Sequence, residues 1–120
     1  MAESTEKFLR LMTIVRESRP SVGRLWSPSA DVVRTPDGWL VVLELAGVCA
    51  DETVITIEGS TLRVEGCRRD AFYTEGVSYE QLEITYSRFE RTLKFPRTIE
   101  NARLKRDYRD GLLVIHLQTG

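Results

Sequence analysis

The sequence predicts an all-β domain, an antiparallel sandwich, with one short helix at its N-terminus. Three observations predict it. The hydrophobic period is near 3.6 at the start of the chain and changes to two from Trp26 onward. The alternating runs are short and are broken by turn residues at roughly 8–12-residue intervals, the spacing of β-sandwiches. Asp110-Gly111 separates the last two runs, residues 103–108 and 112–117, as a hairpin turn would.

The N-terminal element comes first. Phe8, Leu11, Met12 and Val15 fall at i, i+3, i+4 and i+7, and Leu9 and Ile14 widen the stripe. Ser4 or Thr5 can cap the start, and Pro20 stops the helix near Ser18. A helix of about 14 residues is marginal alone in water. The stripe must therefore cover something: its own core, a second subunit, or an unfolding protein. Residues 19–24 read as a linker, so residues 1–25 form an arm and 26–120 the sandwich.

Trp39, Val41, Leu43 and Leu45 then share one strand face, with Leu40, Val42 and Glu44 on the other. Residues 53–57 and 62–65 make two strands joined through Glu58-Gly59-Ser60. Phe89, Arg91, Leu93 and Phe95 alternate with Glu90, Thr92 and Lys94. Between Gly66 and Phe89 lies an interval too long for an ordinary connection in a compact domain. Its second half, residues 77–86, has strand composition, with Leu82, Ile84 and Tyr86 on one face. A strand held that far out invites pairing with another subunit's sheet.

Composition narrows the function classes. The chain has 120 residues, 42% hydrophobic and 29% charged, which suits one folded domain. A formal net charge of −1 supplies no general attraction to nucleic acid or anionic lipid. No apolar stretch is long enough to span a bilayer, and the N-terminus lacks the pattern of a secretory signal, so a cytoplasmic location is expected. Cys49 and Cys67 have no metal-ligand spacing and read either as small hydrophobes or as a redox-linked pair. His116, between Ile115 and Leu117, faces away from both and reads as structural or solvent-facing. No Gly-rich phosphate loop and no nucleophile–base pairing stands out, so neither cofactor, metal nor enzymatic activity is expected.

Five motifs in order carry a family resemblance over most of the chain. Trp26-x-Pro28-x-x-Asp31-Val32 resembles the opening of the α-crystallin domain of small heat-shock proteins, bacterial type. Glu44-Leu45-Ala46-Gly47-Val48 is similar to its E-L-P-G-v, and Leu62-Arg63-Val64-Glu65-Gly66-x-Arg68 to its L-x-i-x-G-x-R. Glu83-x-x-Tyr86-Ser87-Arg88-Phe89-Glu90-Arg91 resembles E-r-x-y-G-x-F-x-R, with Ser87 in place of glycine. Residues 106–113 resemble the closing A-x-x-x-n-G-v-L, with Arg106 in place of alanine. The resemblance implies an immunoglobulin-like β-sandwich and an ATP-independent holdase that binds unfolding proteins.

The same resemblance implies sites. For clients, the residues themselves offer the stripe Phe8, Leu9, Leu11, Met12, Ile14 and Val15, which could equally dock on its own core or on a dimer mate. An edge groove would lie between Val54, Ile55 and Ile57 on one side and Leu104 and Tyr108 on the other. A homodimer would form by strand exchange through Tyr79, Leu82, Ile84 and Tyr86, with Arg91 near the interface or else a plain strand arginine. No I-x-[IV] tail follows residue 117, so dimers or limited oligomers are expected, with room for mixed assemblies with a tail-bearing relative. A CS-domain-like co-chaperone or adaptor shares the sandwich but generally lacks the long strand-bearing loop, which disfavours it here.

Overall fold

The computed structural model describes residues 25–120, so the expected N-terminal helix lies outside the described residues. Seven strands follow in order: β1 (Ala30–Thr35), β2 (Gly38–Glu44), β3 (Val54–Glu58), β4 (Thr61–Cys67), β5 (Arg88–Lys94), β6 (Arg103–Arg109) and β7 (Leu112–Gln118). They form a four-stranded sheet, β1-β2-β7-β6, and a three-stranded sheet, β3-β4-β5, with every pairing antiparallel. A short 3₁₀ turn, Ala50–Glu52, is the one helical element among the described residues.

Alternation builds the core. Val41 and Leu43 of β2 and Leu113, Ile115 and Leu117 of β7 point toward Leu62, Val64, Phe89 and Leu93 of the facing sheet. Phe89 is fully buried and lies opposite Gly66 in the ladder. A Cβ on Gly66 would come within 2.7 Å of the Phe89 ring, so the absent side chain makes room for the large one. β7 sits between β2 and β6, and Leu113, Val114 and Ile115 are buried in succession, while Leu112, His116 and Gln118 stay exposed on its outer face.

The turns follow their chemistry. Arg109 pairs with Leu112, which leaves Asp110 and Gly111 as a two-residue loop with φ of 52° and 81°. Positive φ at both positions is the condition for a type I′ hairpin, and Asp-Gly meets it at low steric cost. The Gly111 carbonyl then accepts from the Leu45 N–H at 2.8 Å, tying this turn to the end of β2.

The chain ahead of β1 crosses to the other sheet. Trp26 donates its N–H to the Arg88 carbonyl at 2.9 Å and accepts from the Glu90 N–H at 3.1 Å, a parallel bridge along β5. Its ring meets Phe89 edge-on at 5.7 Å. Trp26 therefore covers the outer edge of β5, while β3, β6 and β1 hold the remaining sheet edges among the described residues.

One element departs from expectation. Residues 77–86 carry no strand in the single chain, although their composition suits one. A strand needs a neighbouring ladder, and among the described residues no strand edge pairs with that segment.

Candidate functional site

Among the described residues, three regions leave sheet edges or apolar side chains without cover. The first lies between β3 and β6, which end their sheets on the side away from Trp26. On β6, Leu104, Arg106 and Tyr108 stand opposite Leu117, Ile115 and Leu113, all buried, so this is the inward face. On β3, Ile57 and Ile55 stand opposite Leu62 and Val64, also buried. Ile55, Ile57, Leu104 and Tyr108 are half-buried and packed against the core. Val54 pairs with Glu65 and falls on the outer face of β3, apart from these four.

Arg106 changes the character of this edge. Between two partly apolar neighbours, its guanidinium reaches across to the other sheet. Nη1 donates to the Thr53 carbonyl at 3.0 Å and Nη2 to the Ala50 carbonyl. The Tyr108 hydroxyl donates to the Leu45 carbonyl at 2.7 Å. Two side chains of β6 thus satisfy carbonyls of the β2–β3 connection, and the gap between the sheets is bridged at that end by polar groups. The rest of the edge offers apolar side chains beside main-chain groups without ladder partners, the combination that recognises an extended segment.

The second is the β1 edge, and the third is the excursion between β4 and β5. Among the described residues β1 pairs with β2 alone, and Val32 and Val33 are exposed. In the excursion Phe72 is 83% and Ile84 58% exposed, with Tyr73, Val77 and Leu82 also outward. Tyr79 is held more closely: its hydroxyl donates to Asp70 Oδ2 at 2.7 Å, and its ring stacks on Tyr73. Arg91 donates to the Pro28 carbonyl at 3.1 Å, tying β5 to the lead of β1. Of the residues expected at a dimer interface, Leu82 and Ile84 present apolar surface, whereas Tyr79 and Arg91 have partners within the chain.

Arg68 organises the far end of the excursion, a role that no local pattern in the sequence signals. Nε and Nη2 donate to the Thr85 carbonyl at 2.8 and 2.6 Å, and Nη1 donates to the Ala46 carbonyl at 3.3 Å. The guanidinium carbon lies 3.9 Å from the centroid of a Trp26 ring and 5.7 Å from that of Tyr86. Burial lowers the Arg68 pKa from its ordinary value while the neighbouring Tyr86 opposes the shift. Ser87, in the position where glycine was the family expectation, is fully buried, and its carbonyl accepts from the main-chain N–H of Arg68 at 2.9 Å.

The stripe from Phe8 to Val15 lies outside the described residues. His116 is exposed on the outer face of β7, paired across from Lys105 and Leu40. Among the described residues no cluster of three or more His, Cys, Asp or Glu could hold a metal ion. None of the described helices is long and apolar enough to cross a membrane.

Comparison with known proteins agrees with this architecture. The Small heat shock protein C4 of Rickettsia felis is 22% identical over 94 residues, 78% of this chain and 58% of that protein. The 22.0 kDa heat shock protein of Arabidopsis thaliana is 30% identical over 88 residues, 72% of this chain and 45% of that one. This chain therefore spans about half the length of the curated relatives it matches. Among solved structures, Heat shock protein 16.0 from Schizosaccharomyces pombe superposes with a TM-score of 0.69 at 25% identity, covering 78% of this chain and 87% of that one. The Hsp20/alpha crystallin family profile matches residues 31–119, well over half of the sequence, and with the two-sheet sandwich and its strand order the chain belongs to that family.

Proposed function

We propose that this chain is an ATP-independent holdase chaperone that binds unfolding proteins and limits their aggregation. The observation that carries the reading is the excursion between β4 and β5. It exposes Phe72, Val77, Leu82 and Ile84, and the β1 edge has no strand partner other than β2 among the described residues. Apolar side chains next to unpaired main-chain groups capture extended, partly unfolded segments without covalent chemistry or nucleotide. Membership of the Hsp20/alpha crystallin family supports the same reading.

In this proposal residues 79–86 of one chain add to the β1 edge of a second copy, with Leu82 and Ile84 supplying the apolar contact. Pairing would give the excursion the ladder that it lacks in the single chain. Larger or mixed assemblies would use the β3–β6 edge, and the stripe Phe8, Leu9, Leu11, Met12, Ile14 and Val15 would meet clients. The setting proposed is the cytoplasm.

The test is an aggregation assay on a heat-denatured client protein without ATP, followed by light scattering. Suppression near stoichiometric ratios is the expected result. No suppression, combined with tight binding to one folded partner, would replace the holdase by an adaptor.

A further inference from the structure

The structure brings Cys49 and Cys67 to one place. Cys49 is exposed in the β2–β3 connection, and Cys67 is buried at the end of β4, where the excursion begins. Both line a single cleft of about 310 Å³, together with Gly47, Arg69, Asp70 and Ala71. The segments that bear them are fastened on both sides of the thiols. Arg68 donates to the Ala46 carbonyl at 3.3 Å, and Arg69 Nη2 contacts Glu52 Oε2 at 3.1 Å. Thr53 Oγ1 donates to the Cys49 carbonyl at 3.3 Å and lies 3.6 Å from the place a Cβ on Gly66 would take.

We propose that Cys49 and Cys67 are an intramolecular thiol pair that a hydroperoxide converts to a disulfide, latching the root of the excursion to the β2–β3 connection. The exposed thiol meets the oxidant first. Cys49, as thiolate, attacks one oxygen of hydrogen peroxide; the O–O bond breaks, and protonation of the leaving oxygen gives water and a Cys49 sulfenic acid. The Cys67 sulfur then attacks the Cys49 sulfur. The S–O bond breaks, and the departing hydroxide takes the Cys67 proton and leaves as a second water. Two thiols lose two electrons and two protons in all, and one peroxide becomes two waters.

Division of labour between the thiols follows from their surroundings. Burial pushes the Cys67 pKa up to about 11, against the opposing charges of Arg88 and Arg69 and with a small further push from Glu52. A thiol so protonated and enclosed is a poor first nucleophile toward an oxidant in solution. Toward a sulfenic acid on Cys49 in the same cleft it gives up its proton to the departing hydroxide as its sulfur attacks.

The test uses the full chain treated with hydrogen peroxide, then blocked with N-ethylmaleimide after unfolding and weighed without reductant. The expected product has lost two hydrogens, about 2 Da, takes up no maleimide, and maps to a Cys49–Cys67 cross-linked peptide that dithiothreitol releases. In Cys67→Ser, dimedone should trap the Cys49 sulfenic acid several-fold more than in the unsubstituted chain. Cys49 carrying added oxygen while Cys67 still takes maleimide would overturn the proposal. So would a disulfide joining two copies, or equal dimedone trapping with and without Cys67. The mass measurement on the unsubstituted chain decides the matter even if the Cys67→Ser chain fails to fold.

Discussion

Arg106 on β6 donates from Nη1 to the main-chain carbonyl of Thr53 at 3.0 Å, joining the free edge of one sheet to the residue that leads into the free edge of the other. The inward face of β6 is otherwise Leu104 and Tyr108, so a long cation stands in a row that alternation would assign to packing. Its charged end is not buried. It passes the hydrophobic margin and finds carbonyls at Thr53 and Ala50, as a side chain with an apolar stem and a polar head does.

Arg106→Ala should therefore cost about 1 kcal/mol in urea unfolding, the range of charge-assisted bonds discounted for exposure. Amide exchange should rise at residues 50–57 and 104–108 and stay unchanged in β2 and β7. Loss spread evenly over both sheets would mean that Arg106 does not act as an edge-to-edge tie.

Arg68 makes a comparable prediction at the other end of the sandwich. One guanidinium serves two carbonyls, Thr85 and Ala46, while lying against Trp26. A lysine keeps the charge but has neither the planar face nor the fork. Arg68→Lys should lower stability by about 1–2 kcal/mol and shift the tryptophan emission of Trp26, read in a Trp39→Phe background. An unchanged emission spectrum would show that the stacking contributes nothing to the position of Trp26.

How much of this was legible in the sequence depends on the distance over which each feature is determined. Asp110-Gly111 is a local instruction, and it folds as the two-residue hairpin that its chemistry demands. The face of Val41, Leu43 and Leu45 was readable because alternation is local too, and all three are buried. The partners of Arg68 and Arg106 were not readable, since Thr85, Ala46, Thr53 and Ala50 are set beside them only by the packing of sheets. Residues 77–86 have strand composition without a ladder in the single chain, because composition states a preference and pairing requires a partner edge.

Gly66→Ala tests the close approach in the core. The added Cβ would stand 2.7 Å from two atoms of the Phe89 ring, which is fully buried and cannot swing into solvent. Overpacking of this kind costs about 1–3 kcal/mol, read as a fall in the urea midpoint. Gly66→Ala combined with Phe89→Leu should recover part of the loss of the alanine variant. A double variant whose loss equals the sum of the single losses would show that the two positions do not share the space.

Cys67 predicts a pH dependence whose sign can be worked out. Its thiol has a pKa near 9.0 when unfolded and about 11 when folded, chiefly because burial disfavours the thiolate. Folding therefore favours the protonated form. Its contribution is complete below the unfolded value, declines as pH rises from about 9, and is gone once pH passes about 11. The unsubstituted chain should lose more stability between pH 8 and pH 10.5 (roughly) than Cys67→Ala does, both measured under reductant by urea unfolding. Parallel curves for the two would assign the alkaline loss to other groups.

The excursion carries the prediction that reaches furthest, because it separates the fold of one chain from its assembly. Residues 70–86 contribute no strand to either sheet, and Phe72, Leu82 and Ile84 are exposed in the single chain. Replacing residues 70–86 by a short Gly-Ser linker should therefore leave the β4–β5 pairing and the cooperative unfolding of the sandwich intact. The proposed dimer, by contrast, depends on this segment reaching the β1 edge of a second copy. The shortened chain should scatter light as a monomer at concentrations where the full chain scatters as a dimer or larger species. Leu82→Asp with Ile84→Asp should weaken association in the same direction without shortening the chain, since charges on that face lose the apolar contact and resist edge pairing. A shortened chain that kept its dimer mass would place the interface elsewhere and remove strand exchange from the proposed mechanism.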